Sequence, residues 1–429
     1  MDGEGAAKAL IDQVGATPGD LITLRSHGRC YEGVLMPHHA FSGLDIITIK
    51  LANGYNIGVA VEKGSELAIT EKGTMPKAPK KKATLNPKKP TVSILGTGGT
   101  IASYVDYRTG AVHPALSAED MTFAVPGLLN WCNLRATVVY SLLSENMRPA
   151  YWRQLAHEAA KALNSGSRGV VIPHGTDTLG YTAAALSFML PHLTGPVVLV
   201  GSQRSSDRPS SDAHLNLRAA VKIAATSDLG EVVVAMHGEM SDRSICIHRG
   251  TRVRKMHTSR RDAFRSFGKP LGVIDNDHIQ LEGYRKKGKG PVVVDDRLDE
   301  HVVLVYFYPG LQPEHLDRIL AGCHGAVIAG TGLGHIATDL IPTLKKAGEE
   351  GMHVVMTSQC LDGRVNLNVY STGRDLLRAD IIPGEDMLPE TAYVKLMWVL
   401  GHTKEPAKVR ELMRQNIVGE ISERRHIDG

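Results

Sequence analysis

One stretch, TVSILGTGGTIAS at residues 91–103, constrains the fold of this chain more than any other. Its apolar residues Val92, Ile94 and Leu95 predict a buried strand, and the glycine pair that follows lets the backbone turn sharply. Thr97 is therefore expected at the carboxyl end of a strand, where ligands bind in open α/β sheets. A threonine hydroxyl is a poor nucleophile alone, so a catalytic site here needs a base and a charge partner from elsewhere in the chain.

A second stretch, GVVIPHGTDTLG at residues 169–180, has the same design. An apolar strand is followed by His174, Thr176 and Asp177. The topology that places Thr97 at the sheet edge places these residues beside it. A hydroxyl and a carboxylate at one strand end suit an amino acid's ammonium and carboxylate groups, whereas His174 is expected to have a structural role. Either stretch alone is also compatible with an ordinary helix cap or tight turn.

From residue 91 onward, short apolar segments alternate with amphipathic ones. We predict strands at 91–95, 169–173, 196–201, 231–236, 301–306, 326–329 and 353–356, and helices at 150–163, 181–190, 212–225, 313–321 and 339–347. This alternation is typical of the α/β class with largely parallel, doubly wound sheets. The polar stretch YRKKGKGP at 284–291 divides the body into two α/β domains, at 91–283 and 292–421.

The first 75 residues have a different pattern, with short alternating segments separated by turn residues. They predict a small antiparallel β-barrel of SH3-like kind, which serves either as a docking module or as a binding module for RNA or peptides. Residues 76–90 are rich in lysine and proline, as in an extended, mobile linker.

Composition excludes several classes of protein. The net charge of +4 is too small to indicate nucleic-acid binding by the whole chain, and the five cysteines form no C-x-x-C pair. The acidic N-terminus does not resemble a signal peptide, and no apolar run approaches the roughly 18 residues of a membrane span. We therefore expect a soluble cytoplasmic protein with no metal site. The glycine-rich turns lack the spacing of nucleotide-binding loops.

Together, ILGTGGTIAS and IPHGTDTLGYTA resemble the two signatures of the asparaginase family of amidohydrolases, and the resemblance covers residues 91–420. It implies a two-domain α/β fold and hydrolysis of a side-chain amide. It also implies a flexible active-site loop and a homodimer in which a second subunit completes each site.

The resemblance implies catalytic roles for five residues: Thr97, Tyr107, Thr176, Asp177 and Lys255. Thr97 would be the nucleophile that forms an acyl-enzyme, with the Tyr107 hydroxyl activating it. The other three would form a hydroxyl, carboxylate and ammonium relay, and whether Thr97 or Thr176 attacks first stays open. Tyr104 competes for the role of Tyr107. Lys255 lies in a basic segment with Arg249, Arg252 and Arg254, so a solvated charge is the alternative for it.

The same resemblance implies substrate contacts by Gly98, Ser144, Glu145, Thr176 and Asp177. Ser144 would bind the substrate carboxylate, and Glu145 and Asp177 would bind its α-ammonium. Simple asparaginases often have glutamine at the Glu145 position, so its charge is a possible mark of altered specificity. In the turn 330–335, Leu333 and His335 stand where many relatives place an asparagine contributed across the dimer.

The full layout, a barrel, a linker and an asparaginase-like body, resembles the family of D subunits of the archaeal-type glutamyl-tRNA(Gln) amidotransferases. That resemblance implies a glutaminase that supplies ammonia to a partner, the amidotransferase E subunit, within a heterotetramer. ATP, magnesium and most contacts with Glu-tRNA(Gln) would belong to the partner, with no cofactor in this chain. Two alternatives are a free-standing cytoplasmic L-asparaginase and an inactive RNA-binding or scaffold protein.

Overall fold

The computed structural model describes residues 5–37, 43–51, 56–73, 86–98, 103–106, 111–114, 125, 127–204 and 211–423. Within these ranges, no helix has the length and apolar character needed to cross a bilayer.

The N-terminal unit is an antiparallel sheet with a helix packed against it. Helix α1 is Ala6–Val14, and the strands are β1 Leu21–Ser26, β2 Arg29–Leu35, β3 Ile46–Lys50, β4 Asn56–Ala60 and β5 Glu66–Glu71. The five strands lie in the order β4-β3-β2-β1-β5, as a small barrel-like domain requires. His27 and Gly28 both have positive φ, at 49° and 69°, which matches the tight hairpin turn between β1 and β2. Alternate side chains of the strands, among them Ile22, Leu24 and Ile47, form its core.

An eight-stranded sheet follows, in the order β17-β16-β13-β12-β11-β10-β6-β9. Its strands are β6 Thr91–Gly96, β9 Asn133–Val138, β10 Gly169–Pro173, β11 Val197–Val200, β12 Val232–His237, β13 Ser244–Arg249, β16 Gly272–Asp275 and β17 His278–Leu281. Two short antiparallel pairs lie outside it: β7 Ser103–Asp106 with β8 Ala111–Pro114, and β14 Val253–Lys255 with β15 Phe264–Ser266.

The central strands of this sheet are parallel and covered on both faces. Helices α2 Pro149–Asn164 and α3 Leu179–Met189 pack on one face, and α4 Ala213–Thr226 packs on the other. Every residue of β10 and β11 is buried, which explains their continuous apolar sequences.

The second α/β unit is a four-stranded parallel sheet in sequence order: β18 Val302–Tyr306, β19 Gly325–Gly330, β20 His353–Ser358 and β21 Ile382–Pro383. Its helices are α5 Pro313–Leu320, α6 Ile341–Glu349, α7 Ser371–Arg378, α8 Pro389–His402 and α9 Pro406–Arg414. Helix α8 packs against both α3 and β19, so one apolar core spans the two sheets.

The predicted α/β class and asparaginase-like architecture are confirmed, with three differences in detail. Strands β13, β16 and β17 extend the first sheet in antiparallel fashion, so it is mixed rather than largely parallel. Helix α8 was not predicted from the sequence. Finally, the end of the predicted mobile linker is anchored, because the Asn133 side chain hydrogen-bonds the backbone of Asn86 and Lys89. Residues 76–85 lie outside the described ranges.

Candidate active site

Thr97 lies where the sequence predicts, just after β6. Strands β6 and β10 are parallel neighbours, so the segments that follow them meet at one edge of the sheet. The Thr97 side chain is buried, and its Oγ1 donates a hydrogen bond of 2.8 Å to the carbonyl of Pro173, the last residue of β10. Gly98 has φ of +101°, and a Cβ atom there would lie 2.5 Å from the Leu142 carbonyl oxygen. Only glycine fits this turn, and the turn fixes the position of the Thr97 hydroxyl.

Thr176, Asp177 and Lys255 come together as predicted. Lys255, the last residue of β14, donates from Nζ to Thr176 Oγ1 at 2.8 Å and to Asp177 Oδ1 at 2.8 Å. Its side chain is 16% exposed, whereas that of Asp177 is 66% exposed. The ammonium thus lies between a buried hydroxyl and a solvent-exposed carboxylate, an arrangement suited to transferring protons and orienting a nucleophile.

The structure distinguishes Lys255 from its basic neighbours, because each arginine of the segment has a different acidic partner. The pairs are Arg249 with Glu231, Arg252 with Asp386 and Arg254 with Glu390. Lys255 alone in this segment points to the candidate site. The sequence could not show this, since two of the acidic partners lie more than 130 residues away in the chain.

Ser144 and Glu145 lie in the 3₁₀ turn Ser144–Asn146. Ser144 is buried, and its Oγ is 3.5 Å from Asp177 Oδ2. Thr178 Oγ1 donates to the Ser144 carbonyl at 2.7 Å, which fastens the turn to the loop after β10. Glu145 is exposed, and its side chain makes no hydrogen bond or ion pair with the part of the chain that the structure describes. It is free to contact a ligand.

His174 has the structural role expected of it. Its Nδ1 lies 2.7 Å from the Gly175 carbonyl, and its Nε2 lies 3.0 Å from Thr182 Oγ1, which also accepts from Trp152 Nε1. These contacts assign the proton to Nδ1, which donates to the Gly175 carbonyl, while Nε2 accepts from the Thr182 hydroxyl. Burial lowers the pKa of His174 to about 4, so the ring is neutral and fixes the loop that presents Thr176.

Two of the predicted features stay predictions. Tyr107 lies outside the described residues, and its competitor Tyr104 is in β7. The turn 330–335 is closed by a bridge between Thr331 and His335, and its expected contact with a second subunit stays a prediction.

One buried carboxylate that supports the site was not predicted from the sequence. Asp212 accepts hydrogen bonds from Ser202 Oγ, from the backbone of Gln203 and Arg204, and from Asn216 Nδ2. This network shapes the segment after β11, where a Cβ atom at Gly201 would lie 2.7 Å from Thr176 Cγ2. The i,i+4 spacing of Asp212 and Asn216 at the start of α4 was the available signal.

Three family models match the chain. "Asparaginase, N-terminal" matches residues 91–287, "Glutaminase/Asparaginase C-terminal domain" matches residues 301–413, and "GatD N-terminal domain" matches residues 16–69.

Curated relatives match over nearly the whole length. The chain is 57% identical to the glutamyl-tRNA(Gln) amidotransferase D subunit of Pyrococcus furiosus over 91% of both chains. It is 49% identical to that of Methanothermobacter thermautotrophicus over 100% of this chain and 99% of the relative. Among solved structures, the thermostable L-asparaginase from Thermococcus kodakarensis superposes with a TM-score of 0.70 at 35% identity, covering 78% of this chain and 100% of the asparaginase.

Proposed function

Because the chain belongs to the family of glutamyl-tRNA(Gln) amidotransferase D subunits, we propose that it is the glutaminase component of such an enzyme. It hydrolyses the side-chain amide of glutamine and supplies the ammonia to a partner subunit. The partner uses ATP and this ammonia to convert Glu-tRNA(Gln) to Gln-tRNA(Gln).

The observation that carries this proposal is the Lys255 bridge between Thr176 and Asp177, beside Thr97, in a chain that also has the N-terminal unit. The Lys255 contacts with Thr176 and Asp177 provide the hydroxyl, carboxylate and ammonium groups suited to amide hydrolysis. The N-terminal unit matches the GatD family model, and the relatives named as amidotransferase D subunits match across nearly all of the chain, including that unit.

The proposed reaction has two steps. The Thr97 hydroxyl adds to the amide carbon of glutamine and its proton passes to the amide nitrogen, so that the C–N bond breaks, ammonia leaves and a glutamyl ester on Thr97 remains. Water then adds to the ester, which releases glutamate and restores the hydroxyl. Tyr107 activates Thr97. Lys255, held by Asp177, lowers the cost of deprotonating Thr176, and Thr176 orients the attacking water. Attack by Thr176 first is the alternative order.

Substrate binding follows from the charges around this site. Ser144 binds the substrate carboxylate, Gly98 is a further substrate contact, and Glu145 and Asp177 bind the α-ammonium through charge-assisted hydrogen bonds. The exposed carboxylate of Glu145 adds a negative charge where simple asparaginases, by the resemblance, often have a neutral glutamine, so we expect it to influence the choice between glutamine and asparagine.

The partner is expected to be the amidotransferase E subunit, with two copies of each chain in a heterotetramer in the cytoplasm. The D subunit needs no cofactor of its own in the proposal, and ATP, magnesium and most contacts with Glu-tRNA(Gln) belong to the partner. Because uncoupled hydrolysis wastes glutamine, we expect placement of the Tyr107 segment to raise activity only in the assembled complex.

A free-standing L-asparaginase is the second candidate, favoured by the superposition with a TM-score of 0.70. That match covers 78% of the chain, so an asparaginase body accounts for only part of it. An inactive RNA-binding or scaffold protein is the least supported, since it would not require the contacts of Lys255 with Thr176 and Asp177.

The test is amide hydrolysis by the purified chain, alone and with the E subunit, Glu-tRNA(Gln), ATP and magnesium. Low activity alone that rises on assembly, with glutamine preferred and Gln-tRNA(Gln) formed, is the expected result. High asparaginase activity that ignores the partner would establish the second candidate, and no hydrolysis under any condition would favour the third.

A further inference from the structure

Two histidines lie at the start of neighbouring strands in the second sheet. His301 immediately precedes β18 and His324 immediately precedes β19, and these strands pair with Val302 opposite Gly325. The backbone N–H of His324 donates to the His301 carbonyl at 2.7 Å, which holds the two residues side by side. Their imidazole rings are 4.7 Å apart between centroids. This is the amino-terminal edge of its sheet, whereas Thr97 follows the carboxyl end of a strand in the other.

Asp299 places a carboxylate between these rings. Its Oδ1 is 3.1 Å from His301 Nδ1, and its Oδ2 is 2.7 Å from His324 Nδ1. The backbone N–H of His301 also donates to Oδ1 at 2.9 Å, so the carboxylate is fixed by the chain turn itself. Only 9% of the Asp299 side chain is exposed, against 65% for His301 and 50% for His324. The carboxylate therefore forms the floor of a small site whose open side is lined by the imidazoles.

The ligand atoms of the three residues all lie within 4.8 Å of one another. In a tetrahedral zinc site with bonds of about 2.1 Å, neighbouring ligand atoms are about 3.4 Å apart. Each carboxylate oxygen faces one imidazole, with Oδ1 3.1 Å from His301 Nδ1 and Oδ2 2.7 Å from His324 Nδ1, and each separation is within a small side-chain adjustment of that value. Two imidazoles with one carboxylate favour zinc and related transition metals over magnesium and calcium, which prefer all-oxygen sites.

A lysine side chain of the protein contacts two of the three ligand residues. The Lys404 ammonium, just beyond α8, contacts Asp299 Oδ2 and lies 3.0 Å from His324 Nδ1. A metal ion would need the same carboxylate oxygen and the same ring nitrogen. The Lys404 side chain is 51% exposed, so it can swing into solvent and leave the three ligands to an incoming ion.

We propose that Asp299, His301 and His324 form a binding site for a divalent transition-metal ion of the zinc type, with Lys404 as its competitor. The bound ion would join Asp299, in the segment that connects the two α/β sheets, to the first residues before β18 and β19. It would therefore stabilise the attachment of this connecting segment to β18 and β19.

The test uses the full chain and Zn²⁺ as the probe, with affinity measured by competition against a chromophoric chelator at neutral pH. Asp299→Asn and His324→Ala each remove one ligand, and His301→Ala provides a further variant if either folds poorly. Lys404→Met removes the competitor. His157→Ala is the matched control, because His157 pairs with Asp296 of the same connecting segment, but no third ligand joins this pair among the residues that the structure describes. All variants keep the five free cysteines, so any Zn²⁺ binding to thiols contributes equally to the wild type and to each variant.

We expect one Zn²⁺ per chain in the wild type, and binding at least about tenfold weaker in Asp299→Asn and His324→Ala, since even outer-sphere changes cost that much. Lys404→Met should bind more tightly than the wild type, His157→Ala should equal it, and Zn²⁺ should raise the unfolding midpoint of the wild type but not of His324→Ala. The proposal is overturned if the wild type and His324→Ala bind alike, if the wild type does not bind, or if only Lys404→Met binds.

Discussion

The buried pair of Lys395 and Glu420 allows a stability prediction worked from its contacts. Both side chains are 0% exposed, and Lys395 Nζ lies 2.6 Å from Glu420 Oε1. Nζ also donates to the carbonyls of Met413 and Gln415 at 3.1 and 2.5 Å. The pair fastens the chain after α9 to α8, the helix shared by the two α/β units.

Lys395→Met keeps the length of the side chain but removes its charge. The Glu420 carboxylate then stays buried without the ammonium that pairs with it, and two carbonyls lose their donor. Removing one partner of a buried ion pair costs about 3–5 kcal/mol, a large part of the roughly 5–15 kcal/mol that stabilises a typical domain. The double variant Lys395→Met/Glu420→Gln leaves no unpaired charge, so it should be less destabilised than the sum of the two single variants.

The assay is urea unfolding followed by circular dichroism, with Lys345→Met, whose side chain is 60% exposed, as the matched control. The control should shift the free energy of unfolding by less than about 0.5 kcal/mol. A loss below about 1 kcal/mol in Lys395→Met, or strict additivity in the double variant, would refute the reasoning.

Two further predictions concern acid stability and substrate binding. Burial opposes ionisation of Asp20, but hydrogen bonds from the backbone of Gly73 and Thr17 outweigh it and lower its pKa from 3.8 to about 2. The N-terminal unit should therefore keep about 2 kcal/mol of stability above pH 4 and lose it as the pH falls to about 2, which hydrogen exchange of its amides would show. The same pH dependence in Asp20→Asn would contradict this assignment. A Cβ atom at Gly175 would lie 2.7 Å from Ser144 Cβ, so Gly175→Ala should raise KM for glutamine about tenfold by displacing the proposed carboxylate contact. Steady-state kinetics with an unchanged KM would contradict that role for Ser144.

The parts of the fold that could be predicted from the sequence are those with a strong local signal. Strands β6 and β10 are short, mostly apolar segments followed by glycine turns, so their existence and the placement of Thr97 and Thr176 followed from the pattern alone. Strand β9, with the mixed sequence NLRATV, has no such signal. Helix α8 was missed because it packs against elements of both sheets and lacks a clear polar face.

Other parts depend on contacts between distant segments, which no local pattern contains. Lys255 could not be separated from Arg252 and Arg254 until their acidic partners were known. His301 and His324 are 23 residues apart in the sequence and become neighbours only through the pairing of β18 with β19. The roles of Tyr107 and Glu145 stay predictions, because the first lies outside the described residues and the side chain of the second makes no hydrogen bond or ion pair with them.

The most direct test of the central claim compares two ammonia sources in the assembled complex with Thr97→Ala. The variant should form almost no Gln-tRNA(Gln) with glutamine as the donor, yet reach wild-type levels when an ammonium salt is supplied, because only the hydrolysis step is lost. Thr226→Ala, at the exposed end of α4, is the control and should use both donors. Glutamine-dependent product from Thr97→Ala at the wild-type rate would contradict the account.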